Sequence, residues 1–382
     1  MKVKLGDVCE INPKVDKLPN DTQVSFIPMQ NVTDDGKVDS STIRTIEEVK
    51  KGFTSFREND VLFAKITPCM ENGKGGIARN LKNGFGFGST EFHVLRPSSS
   101  VTSEWLYYLL SWPVFRKECE KNMTGSAGQK RVPKSFLENY TLRVPPLDDQ
   151  RRIAAVLYKV SDMIAKRREQ LDKLDELVKA RFVEMFGNCN YPRQPLISLI
   201  KEGTGLSYGI VQPGDDGTGD LGVIRPVDMV DGNISIDSIK HIDRAIGDSF
   251  KKTELTGDEL LITVRGTTGI TALTDVRFKG MNVTRGIAVI RYNRSKINPA
   301  YLNAYLNTAE SQNYIQEHTR GATLQQINLS DLRIQEILLP PMYLQEHFSD
   351  YATLINKSKL TIQQSLDKME TLKKALMQEY FG

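Results

Sequence analysis

Cysteine is scarce in this chain and follows no pattern. Cys9, Cys69, Cys119 and Cys189 are the only four in 382 residues, and they are scattered. No Cys-x-x-Cys pair or Cys/His ligand spacing occurs, so neither a zinc site nor a disulfide framework is supported, and a reducing, cytoplasmic setting is expected. No apolar run reaches 18 residues, and the opening "MKVKLGDVCEINPK" lacks the apolar stretch of a secretory signal. No membrane association is expected. Net charge is also small: 51 basic residues face 47 acidic ones, a formal +4, so any basic surface must be local.

Catalytic signatures are missing too. There is no Gly-x4-Gly-Lys-Ser/Thr phosphate loop, since "GSAGQKR" has the wrong spacing, and there is no Gly-x-Gly-x-x-Gly. The pairs Pro145-Pro146 and Pro340-Pro341 are followed by Leu147 and Met342. A base-flipping adenine methyltransferase needs Asp or Asn before such a pair and an aromatic after it. His93, His241, His318 and His347 form no metal motif, and His93, inside a strand-like "TEFHVLR", reads as an ordinary packed or surface histidine. The Glu-x-Lys within Glu47–Lys51 reads as a chance triplet. No catalytic residue, metal or cofactor is expected.

What the chain does have is a repeat. "LDKLDELVKARFVEMFG" at Leu171–Gly187 returns as "LDKMETLKKALMQEYFG" at Leu366–Gly382, 195 residues later. At that offset 12 of the 43 positions from Pro145 to Gly187 are identical to their partners, with no gap. Fainter echoes run upstream at offsets of 194 to 198: "NDVLFAKIT" with "GDELLITVR", "FHVLRP" with "IAVIRY", "GSAGQ" with "GATLQ". One copy is far too long to be a solenoid unit. The pattern is a tandem duplication of a domain with its trailing helix.

Each Pro-Pro pair is a helix start signal, and Gly187 is a plausible stop. Positions spaced alternately by four and three form an apolar seam in both copies. One seam runs from Ile153 through Leu157, Val160 and Ile164 to Met185; the other runs from Phe348 through Ala352 and Ile355 to Tyr380. Cations interrupt them at different places, Arg167 and Arg181 in one copy and Lys359 and Lys373 in the other. Each helix thus offers an apolar residue where the other has a cation, and the two are expected to pack antiparallel. About 38 residues give roughly 57 Å.

The globular parts read as mixed α/β. Strands are expected at Val24–Met29, Val61–Ile66, Phe92–Leu95 and Thr141–Val144, with a helix over Ser103–Lys121. The second copy repeats this at Gly222–Pro226, Glu259–Val264, Gly286–Arg291 and Glu336–Leu339, with a helix over Pro299–His318. The expected fold class is α+β: two mixed α/β domains, 1–146 and 188–341, separated by two long helices, 147–187 and 342–382, that pack as an intramolecular antiparallel coiled coil.

Two copies of globular unit, Pro-Pro-x4-Gln and long helix resemble the specificity subunit of type I restriction–modification systems, as do the "TGSAGQ" and "RGATLQQ" turns and the "DVLFAKIT" and "DELLITVR" strands. The second copy departs at "PPMYLQEHF", where a small residue usually follows the Gln-containing turn. The resemblance implies that each globular unit is a target recognition domain reading half of a split, asymmetric duplex DNA sequence. It also implies that the helices set the spacer and dock two methyltransferase subunits (and a restriction subunit where one is present), and that the chain itself is not an enzyme. Lys166 and Lys173, off the seam, are the candidate docking positions.

Two surfaces in each copy suit DNA. The first is the turn Gly125–Arg131, with Gly125, Ser126, Gln129, Lys130 and Arg131, and its counterpart with Arg320, Gln325 and Gln326. Its small residues let backbone N–H groups meet phosphates, while Gln and Arg suit adenine and guanine edges. The second follows the duplicated central strand: Lys65, Asn72, Lys74 and Arg79 in one copy, Arg265, Thr267, Thr268 and Arg285 in the other. Plain solvated loops and glycine hairpins with ordinary surface cations are the alternatives. A non-catalytic protein-binding scaffold, or an enzyme with an unfamiliar site, are the rival readings of the whole chain.

Overall fold

The computed structural model describes residues 2–14, 18–126, 128–187, 189–214, 217, 219–230, 232–322 and 324–382. The chain divides into two compact units, 1–169 with 363–382, and 170–362. Both boundaries fall inside the long helices.

In the first unit, β1 (Lys2–Lys4) pairs with β10 (Thr141–Arg143). A four-stranded sheet runs β2 (Cys9–Ile11), β9 (Phe92–Pro97), β6 (Val61–Ala64), β7 (Gly75–Ile77). A second runs β4 (Ile43–Thr45), β3 (Gln23–Ile27), β8 (Phe85–Gly88), β5 (Thr54–Arg57). The "VLFA" of β6 is apolar at every position and buried at every position, as suits a central strand covered on both faces.

The second unit contains β11 (Arg193–Pro195), β12 (Ser207–Tyr208), β13 (Leu221–Ile224), β14 (Met229–Val230), β15 (Asn233–Ile234) and β16 (Lys240–Ile242). It continues with β17 (Leu260–Arg265), β18 (Thr267–Leu273), β19 (Asn282–Val283), β20 (Ile287–Ile290), β21 (Thr319–Arg320), β22 (Gln326–Ile327) and β23 (Glu336–Leu338). The pairing plan repeats. Antiparallel β6–β9 has its counterpart in β17–β20, parallel β3–β8 in β13–β19, and β1–β10 in β11–β23. The duplication seen in the sequence is a duplication of topology.

The expected strands are all present within a few residues of their expected ends. The two expected helices are not continuous. Ser103–Lys121 is broken into Ser103–Ser111 and Pro113–Lys121, because Pro113 has no N–H to donate and holds Trp112 extended (φ −64°, ψ 126°). Pro299–His318 is broken into Pro299–Leu306 and Ala309–Glu317, where Thr308 caps a new helix by accepting from Ser311 N at 3.3 Å.

The long helices span Leu147–Phe186 and Met342–Phe381, 40 residues each, with starts 195 residues apart. The "PPMYLQEHF" departure therefore does not move the second start. A buried glutamine fixes both. Gln150 Oε1 accepts from Thr102 N (2.9 Å), and its Nε2 donates to the carbonyls of Ser100 (2.8 Å) and Pro145 (2.9 Å). Gln345 accepts from Asn298 N (2.9 Å) and donates to Pro340 O (2.8 Å).

In the first unit, Ile153 and Leu157 of one long helix and Met377 of the other enter the core around Trp105, and Phe381 packs on Trp105 and Trp112 with ring centroids 5.7 and 6.3 Å apart. In the second, Phe182 and Phe186 meet Phe348 and Tyr301. Within each unit the helix segments run antiparallel: Arg168 pairs with Glu370 (2.7 Å) in the first, and Asp175 with Lys359 (2.6 Å) in the second. That last pair corrects the expected complementarity, since the seam cation Lys359 meets a carboxylate and not an apolar residue. The repeated segment thus carries, at each copy's end, aromatic and apolar side chains that complete a domain core.

Candidate nucleic-acid interface

Where β6 ends, the backbone is stitched to two other segments. Lys65 N donates to Glu91 O (2.9 Å), Val132 N donates to Lys65 O (2.9 Å), and Thr67 N donates to Lys130 O (3.0 Å). The chain leaving the central strand and the turn at 125–131 are therefore one surface. The turn itself needs glycine: Gly125 has φ +126°, and a Cβ there would sit 2.7 Å from Gln129 O.

The second unit is built identically. Val264 N donates to Gly286 O (2.8 Å), Arg265 pairs with Gln326, and Gly266 N donates to Gln325 O (2.8 Å). Position by position, Arg265 stands where Ile66 does, Gln326 where Arg131 does, and Gly286 where Glu91 does. The two surfaces expected separately in each copy merge into one. Ala127 and Thr323, one in each turn, lie outside the described residues.

In the first unit, Gly125, Ser126, Gln129 and Lys130 are exposed, and the Gln129 and Lys130 side chains have no partner among the described residues. Arg131 does have one. Its Nε and Nη2 donate to the Glu91 carboxylate at 2.9 and 2.8 Å, and these hydrogen bonds hold that carboxyl below its usual range. His93, buried beneath, has Nε2 2.8 Å from Val132 O; burial lowers its affinity for a proton, so it is a packed support, as its strand position implied. Lys65 is half-buried beside this group and Asn72 is exposed. Lys74 donates to Met29 O (3.1 Å), which ties it to the loop after β3. Arg79 does not belong to the surface. The β6–β7 register puts Ile77 opposite Val61, so Arg79 lies beyond the far end of β6, where it pairs with Glu104.

In the second unit, Arg265 is half-buried with an Nε that has no hydrogen-bond partner among the described residues. Thr267, Arg285, Arg320 and Gln325 are exposed and Gln326 is half-buried. Arg320 lies 3.7 Å from Asp331. Thr268 is a correction: it is buried, with its hydroxyl 3.1 Å from that of Thr319, so it braces the turn from inside. Sequence reasoning missed the loop that flanks each surface. In the second unit this is Pro226, whose Cγ lies 2.6 Å from where a Gly286 Cβ would stand. It also missed Lys117 and Lys121, which line a pocket with Lys130. The candidate docking positions Lys166 and Lys173 are both exposed, and Lys166 pairs with Asp162 at 2.8 Å.

Among the described residues no cluster of three or more His, Cys, Asp or Glu side chains could hold a metal, and no helix is long and apolar enough to cross a membrane.

The type I restriction modification DNA specificity domain matches this chain twice, over residues 1–176 and 218–378. The chain belongs to the type I restriction–modification specificity family. Among its curated relatives, the EcoAI specificity subunit of Escherichia coli is 42% identical over an alignment of 184 positions that covers 46% of this chain and 31% of that protein. The EcoEI specificity subunit, also of Escherichia coli, is 40% identical over an alignment of 195 positions that covers 49% of this chain and 33% of that protein. The chain thus spans about a third of the length of these two relatives. The specificity family's fold is also seen in the S subunit of a type I system from M. genitalium. That structure matches with a TM-score of 0.57 at 12% identity, covering 100% of this chain and 96% of the other. A chain from a structure on type I complex assembly matches at 0.55 and 19%, covering 99% and 96%.

Proposed function

We propose that this chain is the DNA-recognition subunit of a type I restriction–modification complex. Each unit reads one half of a bipartite, asymmetric duplex target. The carrying observation is that one backbone frame occurs twice with different side chains on it: Gln129 and Lys130 beside a Glu91–Arg131 pair in one unit, Arg265, Arg285, Gln325 and Gln326 in the other. Glutamine amides suit adenine edges, arginine forks suit guanine, and the lysines meet phosphate. Different side chains on equal frames give different half-sites.

The long helices hold the two recognition units and offer their charged outer faces, Lys166 and Lys173 among them, to two methyltransferase subunits. A restriction subunit joins where one exists. The chain works in the cytoplasm, needs no cofactor and modifies nothing by itself. Titration of duplex DNA at several salt concentrations tests this reading. Binding should weaken steeply with salt, and each lost phosphate contact should flatten the slope by about 0.9. Salt-insensitive or absent duplex binding by the chain and its complex would favour a protein scaffold. Methylation by the homogeneous chain with S-adenosylmethionine would contradict the non-catalytic role.

A further inference from the structure

A guanidinium that reads guanine presents two donors along one edge to the base. Arg131 has its Nε–Nη2 edge occupied, both nitrogens donating to Glu91, so that only the Nη1–Nη2 edge is left. Its remaining nitrogen, Nη1, donates to Gln129 O at 3.2 Å, inside the turn. Glu91 is itself anchored, because its carbonyl accepts from Lys65 N (2.9 Å) where the chain leaves the central strand. The connection therefore runs from the sheet, through Glu91 and Arg131, to the backbone of the turn. The side chains are 25% and 40% exposed, so as an ion pair they add little to stability. What the pair does supply is direction, since a bidentate fork fixes both planes. The second unit has Gly286 and Gln326 at these positions and braces its turn with the Thr268–Thr319 hydroxyl contact.

We propose that Glu91 and Arg131 are a positioning pair: they shape the turn so that Gln129 and Lys130 meet the duplex, and Arg131 does not itself read a base. This rests on the DNA-recognition reading above. The test uses a pool of 40-base-pair duplexes of random sequence, selected by the full chain co-expressed with its methyltransferase subunit and then sequenced. If the parent enriches no bipartite motif, DNA recognition itself fails, whatever the pair does. Given a parental motif, Glu91→Gln should blur one half-site over several positions, lowering its preference for the best sequence at least about tenfold. The other half-site should stay sharp, which also reports that the protein is folded. Binding to unselected duplex should hold or rise, because one negative charge is gone. Arg131→Lys, which keeps the charge and loses the fork, should blur the same half-site. The charge-swapped Glu91→Arg, Arg131→Glu double variant should be sharper than either of its singles. The proposal is overturned if Arg131→Lys changes the preference at a single base pair while Glu91→Gln leaves the motif intact, or if both variants leave it intact.

Discussion

The two units share strand pairing, the glutamine clamp at each long-helix start and the stitched turn beside the central strand, yet differ in nearly every side chain at that turn. In the first unit the frame carries an acid, Glu91, and spends an arginine on it; in the second the same position is Gly286, and among the described residues neither Arg265 nor Arg285 has an ion pair. Backbone hydrogen bonds set the shape of the surface, and side chains are then free to set its chemistry. A duplicated frame with diverged side chains is the arrangement expected of a protein that recognises two unlike halves of one target.

The units also differ in how firmly the helices close their cores, and this gives the largest expected effect. Phe186 is fully buried between Tyr301 and Phe348, whereas its counterpart Phe381 is half-buried against Trp105 and Trp112. Phe186→Ala should destabilise the second unit by about 3–5 kcal/mol, and Phe381→Ala the first by clearly less. Urea unfolding with hydrogen exchange resolved by segment measures both. Equal losses would mean that the two ends do not differ as described.

The glutamine clamps come next. Gln150 makes three hydrogen bonds and Gln345 two, and both glutamines are buried. Gln150→Ala should cost about 2–4 kcal/mol, and Gln345→Ala roughly 1 kcal/mol less, because fewer buried groups are left unpaired. The same unfolding assay ranks them, and a reversed order would break the comparison.

A pH effect is expected from a buried carboxylate of the second unit. Burial pushes the Glu259 carboxyl up, but hydrogen bonds from Thr256, Thr274 and the backbone outweigh it and hold the group below its usual range. A lowered folded-state value stabilises the protein above the unfolded carboxylate pKa of about 4.3 and is lost as pH falls through the folded value. Glu259→Gln should therefore be less stable than the parent at neutral pH, with the gap closing as pH falls from about 5 toward 3. A gap independent of pH would contradict this. The smallest effect on stability is expected from glutamates at Lys166 and Lys173, both exposed: within about 0.5 kcal/mol, yet with loss of co-purifying methyltransferase. Undiminished co-purification would move docking elsewhere.

Much of this plan was legible in the residues. The constant offset of 195, the paired prolines and the heptad seams carry the duplication and the helices, because these are local or periodic signals. The seam positions are indeed buried or half-buried throughout. What was not legible depends on pairing between distant segments. Lys65 and Val132 meet only because a strand end and a turn hydrogen-bond across 67 residues. Arg79 was misassigned because hairpin register decides which end of a strand it reaches, and Thr268 because a hydroxyl in a glycine-rich loop can point inward as readily as outward. Glu91 is not legible in the sequence because an acid is not an expected neighbour of phosphate; only its counterpart, Gly286, marks the position as one where the copies diverge.

Genome-wide mapping of methylated adenines, with the complex carrying Gln129→Ala and Lys130→Ala in one variant and Gln325→Ala and Gln326→Ala in another, tests the central claim most directly. Each change leaves one frame untouched. The first variant should relax one half of the methylated motif and leave the other half as in the parent; the second should do the reverse, each lost base-edge contact costing about 1–3 kcal/mol of discrimination. Variants that both altered the same half, or that left both halves unchanged at full methylation, would contradict the assignment of one half-site to each unit.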